Sequence, residues 1–487
     1  MPNIFDEINS NDTYKLLING QWVESSTKNT FEIFNPADGS LIAKVQSASK
    51  IDAEKAIKAA YEARPKANMP IFERCKVLRK MAELLDQHQE EFISIICKES
   101  GKTKSLAQGE VHASTERLIL AADEATALRG DVIHGNVVSK TKTTAMVTRQ
   151  PVGVILAISP FNYPLFTAIS KIAPAIAAGN SLVIKPASAD PICLLMFGKI
   201  MQEAGMPDGT VNIITGRGSE IGDFLVAHPD INMISFTGSS AAGKHLAGIA
   251  GMKNLHLELG GKAPAIVLED CDLDKAVKEC VTGSIKFSGQ RCDSISRILV
   301  VDSIADNFVS KVLEEIKKWK LGDPKEPDTV IGPLISEDSA KFVEELVNDA
   351  VQKGAKLLYG GKRHERGYFE PTILDNVTKD MRIAWEETFG PVVTIMRVKD
   401  YEEAISLSNQ SQYGLDSCIF TNNVDKAIDA GMRLECGSVH VNAHPTHGVG
   451  LFTFGGDKDS GIGRQGIKHS AESMTKHHTI VLHPKED

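Results

Sequence analysis

The chain reads as an α/β protein built on two parallel sheets, with a smaller β arm. Three observations predict this. Short β-rich runs alternate with helical stretches from about residue 151 to 260. A second alternation of the same kind runs from about 265 to 440. Glycine-rich turns stand where strands hand over to helices. Alternation of this sort closes into a parallel sheet with helices on both faces.

In chain order, residues 14–45 alternate short apolar runs with turn pairs (Asn19-Gly20, Asn35-Pro36, Asp38-Gly39) and predict short strands. Helices are expected over 51–64, 71–97 and 103–128. In the second, Ile71, Cys75, Leu78, Met81, Leu85, Phe92 and Ile96 recur at helical spacing and mark one buried face. The first sheet takes strands at 152–158, 181–184, 211–215, 233–236 and 255–259, with helices at 164–178, 190–204, 218–227 and 240–250. The second begins with a strand at 265–268, a helix over 273–287, a strand at 297–301 and a helix over 304–318. Val132-Ile133, Val137-Val138 and 145–148 predict the arm, and 479–482 a further strand. Either is suited to pairing across a subunit interface or to an ordinary surface hairpin.

Composition narrows the function. A chain of 487 residues has room for two large domains or about three ordinary ones. With 42% hydrophobic and 24% charged residues it is an ordinary globular sequence, which excludes disorder for the bulk. The 54 Lys+Arg against 63 Asp+Glu leave a net charge of −9, so the basic footprint of a nucleic-acid binder is missing. No run approaches ~18 apolar residues, so no membrane-spanning helix is predicted. The polar start MPNIFDEINSND does not read as a signal peptide. The eight cysteines show neither CxxC nor zinc-finger spacing, which predicts free thiols, a reducing cytoplasmic location and no metal site.

Five segments are candidates for chemistry. Gly216-Arg-Gly218-Ser-Glu-Ile-Gly222 follows a strand and opens a helix like a dinucleotide fingerprint, though its last gap is one residue too long. Gly238 to His245 nearly spells a P-loop, but His245 stands where magnesium needs a hydroxyl, which disfavours a nucleotide hydrolase. Its backbone N–H groups at a helix start still suit a pyrophosphate. Glu258 ends a predicted strand just before two glycines, where α/β folds place ligand groups; a solvated glutamate is the plainer alternative. In Ser288-Gly-Gln-Arg-Cys292 the neighbouring Arg291 is expected to favour thiolate, making Cys292 the best nucleophile of the eight. Asn162, in Ser159-Pro-Phe-Asn162-Tyr163-Pro164, offers a side-chain amide to a developing oxyanion, or simply makes a turn.

Together the chain resembles the aldehyde dehydrogenase superfamily over roughly 15–487. The motifs appear in order: SPFNYP, KPAS, FTGSSAAG, ELGGK, GQRC, EETFGPV, and FGG with SGIGRQG. The resemblance implies an aldehyde dehydrogenase-like fold, with two Rossmann-like parallel-sheet α/β domains and a β oligomerisation arm. A cofactor-binding domain would comprise 1–128 and 151–258, and a catalytic domain 259–445. The arm (129–150) and tail (446–487) would bridge subunits of a homodimer or homotetramer. It implies NAD or NADP as cofactor. Cys292 is the implied nucleophile, Asn162 the oxyanion donor and Glu258 the base that activates water. Ser159, Pro160, Phe161, Lys185, Ser188, Gly218, Gly238, Ser239, Glu387 and Phe389 are the implied cofactor contacts, and Tyr163, Arg291 and His447 the substrate contacts. His444 is a further candidate for the same pocket.

Within the superfamily the motifs are similar to non-phosphorylating glyceraldehyde-3-phosphate dehydrogenases. That implies a small aldehyde substrate, glyceraldehyde 3-phosphate ahead of lactaldehyde, glyceraldehyde and sulfolactaldehyde. Two departures stand out. Ser188 occupies the place where strict NAD members often carry glutamate, which opens the site to NADP. Ala113 occupies a place where some subgroup members carry arginine, which weakens the case for tight phosphate binding.

Overall fold

The computed structural model describes residues 4–137 and 142–484. Its larger sheet has eight strands, five of them parallel: Val154–Ile158, Ser181–Lys185, Val211–Ile213, Met233–Thr237 and Asn254–Glu258. Their residues are almost all buried, as expected of strands covered by helices on both faces. In space the fifth, fourth, first, second and third of these strands lie side by side. The chain therefore reverses its direction of travel between Val154–Ile158 and Met233–Thr237. At such a switch point the loops leaving the carboxyl ends diverge and open a crevice. Antiparallel edge strands complete the sheet: Leu16–Ile18 and Gln21–Val23 on one side, Gly461–Ile462 on the other.

The second sheet has seven strands. Six are parallel, in spatial order Thr372–Asp375, Val392–Val398, Ile295–Val301, Ala263–Val267, Asp416–Phe420 and Ser438–Val441. Lys356–Tyr359 flanks them antiparallel. Only Leu259–Lys262 separates the end of the first sheet's last parallel strand from the start of the second sheet's first. The carboxyl end of one sheet thus faces the amino end of the other, and the crevice lies between them.

The arm strands Asp131–His134 and Thr144–Pro151 pair antiparallel, and Thr475–Leu482 adds to Thr144–Pro151 from Thr475↔Pro151 to Leu482↔Thr144. The predicted arm and C-terminal strand thus join one three-stranded sheet within the chain; Val138 lies outside the described residues. Residues 461–462 and the helix Ile467–Ser473, from the segment assigned to the tail, return to the first sheet and to its covering helices Lys104–Ala127 and Pro164–Ala177.

Most predicted helices agree with the observed ones to within a few residues. The stretch 71–97 differs. It is two helices, Ile71–Gln87 and Gln89–Ser100, broken at His88 (φ −106°, ψ 20°). The His88 ring packs on Phe5 and its Nδ1 lies 3.1 Å from Glu91, while its carbonyl accepts the Phe92 N–H that starts the second helix. The N-terminal Phe5 comes from outside the helical window, so the apolar periodicity carries across the break unchanged.

Candidate active site

The turn that delivers Cys292 is unusual. The helix Leu273–Ile285 ends, and Phe287 (φ 52°), Ser288 (φ 54°) and Gly289 (φ 70°) follow in the left-handed region. Each of the two non-glycine residues costs about 1–2 kcal/mol there. The turn persists because its surroundings fasten it. The Ser288 hydroxyl donates to the Gly332 carbonyl (2.7 Å), and the Gln290 side-chain oxygen accepts the Ile335 N–H (2.8 Å). A Cβ at Gly289 would collide with the Gly390 carbonyl, and one at Gly261 with the carbonyl of Cys292 itself. The glycines of both motifs are thus explained by close backbone approach.

Asn162 lies in the loop leaving Val154–Ile158 at the switch point. Its amide donates one N–H to the Gln290 carbonyl (2.9 Å), two residues before Cys292. An amide nitrogen carries two hydrogens, so that bond leaves the second unused beside Cys292. The loop is anchored from below by a buried ion pair. Glu110 accepts the backbone N–H groups of Leu165 and Phe166 (3.0 and 3.1 Å) at the start of the helix Pro164–Ala177, and binds Lys102 through its other oxygen. The Lys102 ammonium lies 3.8 Å over the Tyr163 ring, which meets Phe287 edge-on. One polar cluster therefore holds both the Asn162 loop and the Cys292 turn.

Cys292 and Asn162 face a cavity of about 920 Å³ between the sheets, and no other cysteine lines it. Ser159, Pro160, Phe161, Tyr163, Gly238, Ser239, Arg291, Glu387, Phe389 and His447 also line it. Glu258 is set back from the wall. It is buried, next to the lining residues Leu259 and Gly260, and its Oε1 has no hydrogen-bond partner among the described residues. A Cβ at Gly455 would stand 3.0 Å from that oxygen. Lys185, Ser188 and Gly218 do not line this cavity. They stand at the carboxyl ends of the neighbouring strands, where the Ser188 hydroxyl donates to the Gly216 carbonyl (2.9 Å) and Gly218 begins a helix.

The electrostatics correct one expectation. Arg291 attracts the thiolate but does not outweigh the rest of its surroundings. Its guanidinium is tied to Asp293 (3.0 Å) and to the Pro445 carbonyl (3.3 Å). Burial, then Asp293, Asp416, Glu387 and Glu258, push the Cys292 thiol well above its ordinary value. The cysteine is distinguished by its place in the cavity and not by its acidity. His447 lies 2.8 Å from buried Asp416 and stacks on Phe454. Burial opposes its charge, but Asp416 outweighs it and holds the imidazole up at about 9. His444 is turned away onto Glu279. The near-P-loop also resolves: Lys244 pairs with Asp459 and His245 with Asp223.

A helix start, small residues and an aromatic pair line the same cavity. Ser239 caps the helix Ser240–Ile249 by accepting the Ala242 N–H, and Gly238 leaves no room for a Cβ against the Phe236 ring. Gly260 likewise admits Glu387, whose carboxylate accepts the Gly261 N–H (3.0 Å) and is pushed by burial to about 7. Phe161 and Phe389 meet edge-on at 5.8 Å. A helix N-terminus, small residues and an apolar slot are what a pyrophosphate with a flat ring requires.

A profile of the aldehyde dehydrogenase family matches residues 22–480. The chain belongs to the aldehyde dehydrogenase family. It is 44% identical over 466 residues to an NADP-dependent glyceraldehyde-3-phosphate dehydrogenase of Streptococcus equinus, covering 95% of this chain and 97% of that one. It is 39% identical over 470 residues to a 3-sulfolactaldehyde dehydrogenase of Priestia aryabhattai (96% and 98%). The crystal structure of an NADP-dependent glyceraldehyde-3-phosphate dehydrogenase from Bacillus halodurans complexed with NADP superposes with a TM-score of 0.94 at 44% identity, covering 96% and 99%. This aldehyde dehydrogenase is an NAD(P)-dependent oxidoreductase of that fold.

Motif reading missed Lys102, Glu110, Asp293 and Asp416. One signal was available for Glu110. It sits among Ala107, Val111, Ser114 and Leu118, all on the buried face of the helix Lys104–Ala127. A charge on an apolar stripe needs a partner.

Proposed function

We propose that this aldehyde dehydrogenase oxidises glyceraldehyde 3-phosphate to 3-phosphoglycerate, with NADP and without incorporating phosphate. The observation that carries the reading is the meeting of Cys292 and Asn162 on one cavity wall, beside the cradle around Ser239. Cys292 Sγ attacks the aldehyde carbon. The carbonyl oxygen takes up charge against the Asn162 amide and the Cys292 N–H, donors already in place before the reaction. NADP, when bound at Ser239, Glu387 and Phe389, supplies the hydride acceptor that turns the thiohemiacetal into a thioester on Cys292. Glu258 then takes a proton from water, whose oxygen attacks the thioester carbon, and the Cys292 thiolate leaves. The acid is released. Tyr163, Arg291 and His447 are the substrate contacts in this reading.

The cofactor choice rests on Ser188. Its hydroxyl, bound to the Gly216 carbonyl, puts no carboxylate where a 2′-phosphate would be repelled. Lys185 ends the neighbouring strand, where burial pushes its ammonium down to about 8. A Ser188→Glu enzyme is expected to lose at least about tenfold in its NADP-over-NAD preference, measured as the ratio of kcat/KM values, because a fixed negative charge meets the phosphate. An unchanged ratio would put the selectivity elsewhere.

A second reading, a small uncharged hydroxyaldehyde as substrate, is favoured by Ala113 in the wall and by the engagement of Arg291 with Asp293. Nicotinamide reduction with glyceraldehyde 3-phosphate and with lactaldehyde, each with NAD and NADP and no added phosphate, separates the two. The proposal expects the highest kcat/KM for the phosphorylated substrate with NADP. Equal rates, or a preference for lactaldehyde, would reject it.

The same reading makes the protein a cytoplasmic homo-oligomer. All eight cysteines are free, and among the described residues no helix is long and apolar enough to cross a membrane. The arm sheet exposes Val132, Ile133, Val481 and Leu482 on its two edge strands, apolar edges that suit burial against a second copy.

A further inference from the structure

Four side chains able to carry positive charge line the cavity: His112, Lys286, Arg291 and His447. Three of them are engaged. His112 pairs with Glu116 (3.2 Å), Arg291 with Asp293 and His447 with Asp416. Lys286 is half-buried and has neither an ion pair nor a hydrogen-bonding side-chain partner among the described residues.

We propose that Lys286 is the specificity-determining residue that recognises an anionic headgroup on the substrate, a phosphate ester or a sulfonate. The inference deepens the substrate reading above and rests on it. A cation in contact with a buried carboxylate has most of its field cancelled at the distance of a ligand, whereas an unpaired ammonium in a partly desolvated wall keeps its field. Arg291 and His447 can still direct N–H groups at an anion, but of the four cations that line the cavity, beside the carboxylates of Glu110, Glu116, Asp293 and Glu387, Lys286 is the one with no ion-pair partner among the described residues.

Its placement is preorganised. Lys286 caps the C-terminus of the helix Leu273–Ile285, where the helix dipole favours a cation. It precedes the left-handed turn of Phe287 and Ser288, which brings lysine and nucleophile to the same cavity six residues apart. Phe287 is packed on Tyr163, and Ser288 is bonded to Gly332, so the stem of the lysine starts from a fixed backbone. Burial first, then Arg291, push the Lys286 ammonium below its ordinary value, with Asp293 opposing. An anion in the cavity would relieve both.

The test replaces Lys286 by methionine, which keeps the length and apolar stem, and by arginine, which keeps the charge. The quantity read is kcat/KM for glyceraldehyde 3-phosphate, and for sulfolactaldehyde, each divided by kcat/KM for glyceraldehyde. Lys286→Met is expected to lower the ratio for the headgroup the enzyme uses by at least about tenfold, and Lys286→Arg to restore most of it. A Lys286→Met ratio within about threefold of wild type for both anions overturns the proposal.

Inorganic phosphate, varied against glyceraldehyde at saturating NADP, gives a second readout. The inhibition constant should rise at least tenfold in the methionine variant. If wild type shows no preference for the phosphorylated substrate, the substrate reading has failed and this inhibition decides alone. An equal constant in both proteins, or no inhibition of wild type, then overturns the role of Lys286.

Discussion

Replacing Cys292 by alanine is expected to lower kcat/KM at least about 10⁴-fold with every aldehyde, because no other side chain can take over the covalent step. No other cysteine lines the cavity, and where the remaining thiols are shifted, burial pushes them up. The turn around Cys292 is held by bonds of Ser288 and Gln290 and by close backbone approach at the glycines, none of which uses the Cys292 side chain, so the variant should keep its fold and bind NADP. Intact-mass measurement after mixing with aldehyde and NADP should show an adduct with wild type and none with Cys292→Ala. A residual rate within a hundredfold of wild type would mean a non-covalent route. The pH dependence follows from the same surroundings. Thiolate is the attacking form and the thiol is pushed above its ordinary value, so the wild-type rate should climb with pH through the neutral range.

How much of this was legible in the sequence depends on the range of the interaction involved. The parallel strands and the helices between them come from patterns within about 15 residues, and they appear close to where the periodicity puts them. Strand Gly461–Ile462 pairs with a partner some 200 residues earlier, and no local pattern marks it as an edge of the first sheet. His88, where the predicted helix divides, is in ring contact with Phe5, far away in sequence.

The site divides the same way. Cys292, Asn162 and Glu258 stand out in the sequence because they fall at strand ends and glycine turns, and the structure brings Cys292 and Asn162 to one cavity. Arg291 was readable as a charge, but its effect was not. Only the geometry reveals that it answers to Asp293, two residues on, so that the thiol sits among carboxylates and not beside a free cation. Lys102 and Glu110 bond each other and the start of the helix after Asn162, a use of charge that becomes meaningful only once three elements are packed.

Glu258→Gln should separate the two halves of the reaction. Glutamine keeps the shape of a side chain buried between Leu259 and Gly455, so packing is preserved while the proton acceptor is lost. In the proposed mechanism acylation does not require that acceptor, since Asn162 and Cys292 would contribute an oxyanion donor and the thiol. Rapid mixing is therefore expected to give a burst of reduced nicotinamide close to one equivalent per site. Steady turnover should follow about 10²–10⁴-fold more slowly than in wild type, the usual contribution of a general base. The thioester should persist long enough to be trapped on Cys292 and weighed. The geometry gives a reason to expect the hydrolytic half to suffer most. Glu258 is buried beside the lining residues Leu259 and Gly260, and its Oε1 makes no hydrogen bond among the described residues, with the His256 ring nitrogen 3.8 Å away. A buried acceptor without a hydrogen bond is driven to take a hydrogen from water. A slow single turnover without a burst would show instead that Glu258 acts on the thiol before hydride transfer.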